Sequence, residues 1–160
     1  MIFRGKIKNW IDWEKLSNIL TPFLQPNFYL ILQGELGAGK TTLVQVIAKK
    51  IGITSKVTSP TFNILQQYPV EETNQIKFYL NHFDFFRLKV TDNLDFFLEL
   101  TLDNLNIVEW GEKNPHFWQE KKYLHINLIK ERNSETRIII MTIPFSLSSV
   151  QEKKFRNFFC

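Results

Sequence analysis

Cysteine is all but missing from this chain: of 160 residues only Cys160 carries a thiol. No intrachain disulfide can form, so nothing argues for an oxidising compartment. Long apolar runs are missing too, and none approaches the roughly 18 residues of a membrane span. The opening MIFRGKIKNW is positively charged but is not followed by an apolar stretch, so it does not read as a secretory leader. The expected location is the cytoplasm, with no membrane partner. Lys and Arg number 20 against 16 Asp and Glu, a formal charge of +4. That excess permits an anionic partner without requiring one, and no basic run is interleaved with aromatics as in many nucleic-acid binders. Hydrophobic residues at 44% and charged residues at 22% exclude a disordered or fibrous chain. Residues 1–160 are expected to form one domain.

Glycine is scarce as well, with 6 in the whole chain, and three of them fall at Gly34, Gly37 and Gly39. The stretch Gly34-Glu35-Leu36-Gly37-Ala38-Gly39-Lys40-Thr41 fits G-x-x-x-x-G-K-[ST] at every fixed position. It follows FYLILQ (28–33), a short apolar run suited to a strand buried on both faces. A helical pattern from Lys40 to Ile51 comes next, with Leu43, Val44, Ile47 and Ile51 inward and Gly52 as its stop. Glycines at these positions let backbone N–H groups of residues 35–39 turn inward around a phosphate, and the helix start adds its positive end. In this reading Glu35, Leu36, Gly37, Ala38 and Gly39 cradle the nucleotide. Lys40 reaches the β- and γ-phosphates, the Thr41 hydroxyl ligates Mg²⁺, and Thr42 contacts the α-phosphate.

Before this loop, Asp12 is expected to cap a helix bearing Trp13, Leu16, Leu20 and Phe23, limited by Pro22 and Pro26. Residues 1–9 form a short strand or arm. After the loop, strands are expected at Asn63–Tyr68, Ile76–Asp84, Leu105–Val108, Tyr123–Ile129 and Arg137–Ile143, with helices at Asn93–Thr101 and Ser148–Phe159. The last helix, carrying Val150, Phe155, Phe158 and Phe159, reads as one docked on the core or, less readily, as one presenting a face to a partner. The fold class that results is α/β, a P-loop NTPase three-layer fold with a mainly parallel sheet and antiparallel edges, supplied chiefly by the C-terminal third.

A phosphate loop needs a carboxylate near its metal, at the end of a neighbouring strand. Asp84 and Glu109 stand at two such ends. His82 is two residues before Asp84, on the same strand face, and could orient it by a hydrogen bond. Arg87 could pair with Asp84 or with phosphate. Ser59-Pro60-Thr61-Phe62 lies where a switch loop would sense the γ-phosphate, through Thr61 or Ser59. Glu109 and Glu112 are candidates to position the attacking water. Neither N-K-x-D nor D-x-x-G is present, which favours ATP over GTP. Five arginines, scattered along the chain, are few for a small-molecule kinase lid, though that class stays open. So does a nucleotide-dependent assembly module without obligatory turnover.

Taken together, GELGAGKTT (34–42), TSPTF (58–62), HFDFFRL (82–88) and VEWGEK (108–113) resemble the TsaE family. That family is the ATPase component of the bacterial machinery that makes threonylcarbamoyladenosine in tRNA. The resemblance runs from about residue 10 to 143. It implies ATP and Mg²⁺ as cofactors, Lys40, Asp84 and Glu109 as the catalytic set, and Thr41, Asp84 and Glu109 around the metal. It implies Thr61 in a switch loop and Trp110 closing over the nucleotide. It also implies the TsaD and TsaB proteins as partners, with tRNA engaged through them; because no residue stands out as the base, hydrolysis by the chain alone is expected to be slow. The segment TDNLDFFLELTLDNLN (91–106) departs from the family in lacking a glycine-containing turn before the E-W strand.

In a competition assay against a fluorescent ATP analogue, ATP should displace the probe at lower concentration than GTP. Equal displacement by the two would remove the preference.

Overall fold

The computed structural model describes residues 1–159, so Cys160 lies outside the described residues. Its architecture is a seven-stranded mixed sheet carrying helices. In chain order the elements are β1 (Ile2–Ile7), α1 (Trp10–Leu20), β2 (Phe28–Gln33), α2 (Lys40–Lys50), β3 (Leu65–Glu72), β4 (Gln75–Asp84), α3 (Asp95–Thr101), β5 (Leu105–Glu109), β6 (Lys122–Lys130), β7 (Arg137–Thr142) and α4 (Ser149–Phe159). The sheet order is β1-β7-β6-β2-β5-β4-β3. The four central strands β6, β2, β5 and β4 are parallel, while β7, β1 and β3 are antiparallel to their neighbours. The expected α/β class with a parallel centre is what the chain adopts.

The antiparallel edges come from both ends and the middle of the chain, because β6 itself runs parallel to β2. The strand expected at Asn63–Tyr68 begins at Leu65 and continues to Glu72, forming a hairpin with β4. Its two-residue turn, Thr73-Asn74, has φ of 53° and 61°, the positive values a tight hairpin turn needs. Pro69 is tolerated inside β3 because β3 is an edge strand. The cap of α1 is Asn9, whose side chain accepts from Asp12 N; Asp12 instead accepts from Lys8 N at 3.0 Å. The third helix begins two residues later than expected, at Asp95.

Strand alternation sends side chains to two unequal cores. On one face Leu30, Leu32, Leu80, Leu105, Ile107 and Ile126 pack against Trp13, Leu16, Leu43 and Ile47 of α1 and α2. Helix α4 closes the same core. Its Phe155 is 1% exposed and lies 5.3 Å from Phe3, ring centre to ring centre, while Val150 faces solvent. On the other face Tyr29, Ile31, Phe83, Phe85, Val108 and Phe117 form a smaller aromatic cluster. Phe83 and Phe85 thus belong to a core, although their place beside Asp84 in the sequence suggests the site. The turn before β5 contains no glycine; Asp103 takes the left-handed conformation (φ 57°), held by a 2.9 Å bond from its N–H to the Asn27 side chain.

Because Phe155 anchors α4 through a fully buried ring, Phe155→Ala should cost about 3–5 kcal/mol of stability. Urea unfolding checks this, and a loss below about 1 kcal/mol would mean that α4 is not integral to the core.

Candidate functional site

The parallel register of the centre decides where the polar side chains meet. Asp84 at the end of β4 pairs in register with Glu109 at the end of β5, and β5 lies beside β2, which leads into the glycine loop. Asp84 and Glu109 are on the α2 side of the sheet, 3% exposed each. They face a cavity of about 320 Å³, within the range of small-molecule sites. Its wall includes Leu36, Gly37, Gly39, Lys40, Thr41 and Thr42 from the loop and first turn of α2. Ser59, Thr61, Phe86, Trp110 and Arg137 complete it.

Local backbone geometry makes the loop. Gly34 has φ 143°, and a Cβ there would sit 2.3 Å from the Leu128 carbonyl oxygen. Gly39, which caps α2 with φ 104°, would bring a Cβ to 3.1 Å from the Trp13 ring. Conformation disfavours a side chain at both positions, and at Gly34 the carbonyl also leaves no space for one. Among the loop residues singled out from the sequence, Glu35 and Ala38 do not line the cavity. Ala38 is fully buried, and Glu35 contributes its carbonyl to Lys40.

Lys40 is 5% exposed. Its ammonium donates to the carbonyls of Gly34 (2.7 Å) and Glu35 (3.0 Å) and lies 4.1 Å over the Trp110 ring. Burial draws its pKa below the ordinary lysine value, opposed by the charges of Glu109, Asp84, Glu112 and Glu35. Trp110 itself adopts a left-handed backbone, φ 58°, costly for a bulky residue and found where surroundings enforce it. Phe86 packs with its ring centre 5.1 Å from that of Trp110, and the Lys113 ammonium, bonded to the Phe86 carbonyl, covers the pair.

The two carboxylates are already engaged. Glu109 Oε1 accepts from the Thr41 hydroxyl at 2.8 Å and contacts His82 Nε2 at 2.8 Å. Asp84 Oδ2 accepts from Thr61 (2.6 Å) and Ser59 (3.0 Å), and its Oδ1 accepts from Phe86 N at 2.9 Å. Thr61, expected to watch a phosphate, therefore sits on the acid that ends β4. The hydroxyl and carboxylate oxygens of Thr41, Asp84 and Glu109 are hard donors gathered at one wall. That set suits Mg²⁺, which takes one or two carboxylates and leaves other positions to phosphate and water. It is too small for a dedicated cage, and no cluster of three or more His, Cys, Asp or Glu side chains placed to hold a metal occurs among the described residues.

Three readings from the sequence change here. His82 is fully buried and contacts Glu109, whereas Asp84 has all its partners elsewhere. Arg87 meets neither Asp84 nor the cavity; its guanidinium lies 4.2 Å over the exposed Phe62 ring. Glu112 is exposed on the turn after Trp110 and does not line the cavity. One wall residue went unanticipated. Arg137, at the start of β7, reaches the loop because β6 lies next to β2 and the hairpin places β7's first residue at that end. A lone arginine at a strand start carries no signal for this in the sequence.

A family model described as threonylcarbamoyl adenosine biosynthesis protein TsaE matches residues 7–139. The chain is similar to proteins named tRNA threonylcarbamoyladenosine biosynthesis protein TsaE from several bacteria. The one from Nostoc sp. is 32% identical over 137 residues, 82% of this chain and 79% of that protein. The one from Streptomyces coelicolor is 37% identical over 134 residues, 81% and 88% of the two chains. The match to the Rickettsia felis protein, 35% identical over 113 residues, spans 69% of this chain and 63% of that one. Among solved structures, Bacillus subtilis YdiB aligns with a TM-score of 0.64 at 24% identity, covering 99% of this chain and 94% of its own. At that identity it attests the shared fold.

The bonds from Ser59 and Thr61 to Asp84 tether the loop before β3. In the double variant S59A/T61V, limited proteolysis should cut within residues 55–64 faster than in the parent. An unchanged cleavage rate would mean that the loop is held by other contacts.

Proposed function

The chain belongs to the TsaE family, and from that premise we propose that it binds and hydrolyses ATP with Mg²⁺ at the Gly34–Thr42 loop in support of threonylcarbamoyladenosine synthesis in tRNA. The observation that carries this reading is the convergence of Lys40, Thr41, Asp84 and Glu109 on one cavity behind a glycine loop. A carboxylate pair and a lysine beside a helix N-terminus suit a polyphosphate with its cation.

Lys40 bears the charge that meets the phosphates, and N–H groups of the glycine loop other than that of Ala38, which is bonded to the Glu35 carbonyl, add fixed donors. Thr41, Asp84 and Glu109 would hold Mg²⁺, which when bound supplies positive charge to the phosphate oxygens. Glu109 orients the attacking water. The water oxygen bonds to the γ-phosphorus, the bond from that phosphorus to the β–γ bridging oxygen breaks with its electron pair left on ADP, and the water's proton passes to an oxygen of the released phosphate. Trp110 covers Lys40 and excludes bulk water from that side. Thr61 and Ser59 couple the state of the Asp84 wall to the 58–62 loop, whose Phe62 is 81% exposed and free to meet a partner.

By this reading the chain works with TsaD and TsaB in the cytoplasm, with TsaD transferring the threonylcarbamoyl group and tRNA engaged through those proteins. Residues 1–160 serve as one ATPase domain. No helix among the described residues is long and apolar enough to cross a membrane.

ATP hydrolysis and tRNA modification measured with and without purified TsaD and TsaB test the proposal. Turnover should be slow alone and rise with the pair, and Asp84→Ala should abolish it. Label passing from γ-labelled ATP to a metabolite would point to a kinase. Full modification supported by a non-hydrolysable analogue would point to an assembly module.

A further inference from the structure

The one buried titratable side chain at this wall that the reaction leaves without a task is His82. It is wholly enclosed, with its Nε2 2.8 Å from Glu109 Oε1. The contact is diagonal across two parallel strands: His82 is in register with Ile107, and Glu109 lies two residues further along β5 on the same face. Oε1 already acts as an acceptor toward the Thr41 hydroxyl, and as the acceptor of the His82 contact too it takes its hydrogen from Nε2. Nδ1 then carries the lone pair, consistent with its lack of any partner among the described residues. An N–H at that buried position would be a donor without a partner, a state that the large majority of buried side-chain polar atoms avoid.

Resting on the proposed ATPase reading, we infer that His82 is a positioning residue that holds Glu109 by Oε1. Its consequence lies in how the two carboxylate oxygens divide. Among the described residues only Oε1 has hydrogen-bond partners, Thr41 and His82. Thr41 is the residue whose hydroxyl turns to the metal. His82 remains as the anchor that keeps the carboxylate in place, leaving Oε2 without a protein hydrogen-bond partner among the described residues on a side chain that lines the cavity. Partners of this kind fix the orientation of a ligating or water-positioning group, and their loss typically costs about 10–100-fold in metal affinity or activity.

Two substitutions separate anchoring from mere filling. The Nε2 of glutamine is as many bonds from Cβ as the Nε2 of histidine, so His82→Gln retains a donor within reach of Oε1. The amide of His82→Asn is one bond shorter and falls short, although it is equally polar. H82Q should turn over ATP within about threefold of the parent, and H82N should fall by about 10–100-fold in kcat with KM for ATP little changed. On an E109Q background the H82N loss should largely vanish, since His82 acts through Glu109. Equal losses in H82N and H82Q, or a full H82N loss retained beside E109Q, would overturn the inference.

A measurement without nucleotide keeps the claim separate from the ATPase reading. With 3 histidines in the chain, ¹⁵N-edited spectra of the free protein resolve each ring. They should show His82 protonated at Nε2, with a protected Nε2–H signal that E109A removes. A parent that binds ATP without hydrolysing it would defeat the ATPase reading alone. That spectrum, with the Mg²⁺ dependence of ATP binding in H82N against H82Q, would then decide the inference. A His82 protonated at Nδ1, or unaltered by E109A, would refute it.

Discussion

One carboxylate oxygen, Glu109 Oε1, joins three elements that are far apart in the chain. It receives the Thr41 hydroxyl from the first turn of α2 and meets His82 from β4, while its own backbone belongs to β5. This junction fixes the distance between the glycine loop and the acids. It works only because β4 and β5 run parallel with Asp84 opposite Glu109, and because β2 lies beside β5. A slip of one residue in either register would turn a carboxylate to the far face, into an aromatic core.

The cost of placing two carboxylates and a lysine in a small cavity is met locally. Three donors satisfy Asp84, and Lys40 is held by two carbonyls and an aromatic face. Each charge is thus paired or hydrogen-bonded, as buried charges must be. The strained Trp110 backbone sits within this arrangement, between Lys40 and Phe86. The large apolar core beneath, closed by Phe155 of α4, supplies the rigidity that lets such a wall persist.

Much of this was legible in the residues, for physical reasons. FYLILQ is uniformly apolar because β2 is covered on both faces, and its bounds as read, 28–33, are those observed. The glycine loop announces itself because Gly34 and Gly39 take positive φ values, and at Gly34 the Leu128 carbonyl leaves no room for a Cβ. Asp84 and Glu109 were recognisable as acids at strand ends. The partner of His82 was not, since a contact across strands depends on register, which no local pattern records. The β3–β4 hairpin was hidden because its turn is Thr-Asn without glycine, and its edge strand contains Pro69. Arg137 reached the cavity wall through sheet order alone.

The central claim is that this wall and the glycine loop form one site for a nucleotide with its cation. The most direct measurement is calorimetric titration of the protein with ATP, in EDTA and in Mg²⁺, for the parent and for Thr41→Val. The account predicts tighter binding in Mg²⁺ for the parent, and loss of that gain in T41V with binding in EDTA retained. Equal affinity of the parent in EDTA and in Mg²⁺, or no binding of ATP, would contradict it.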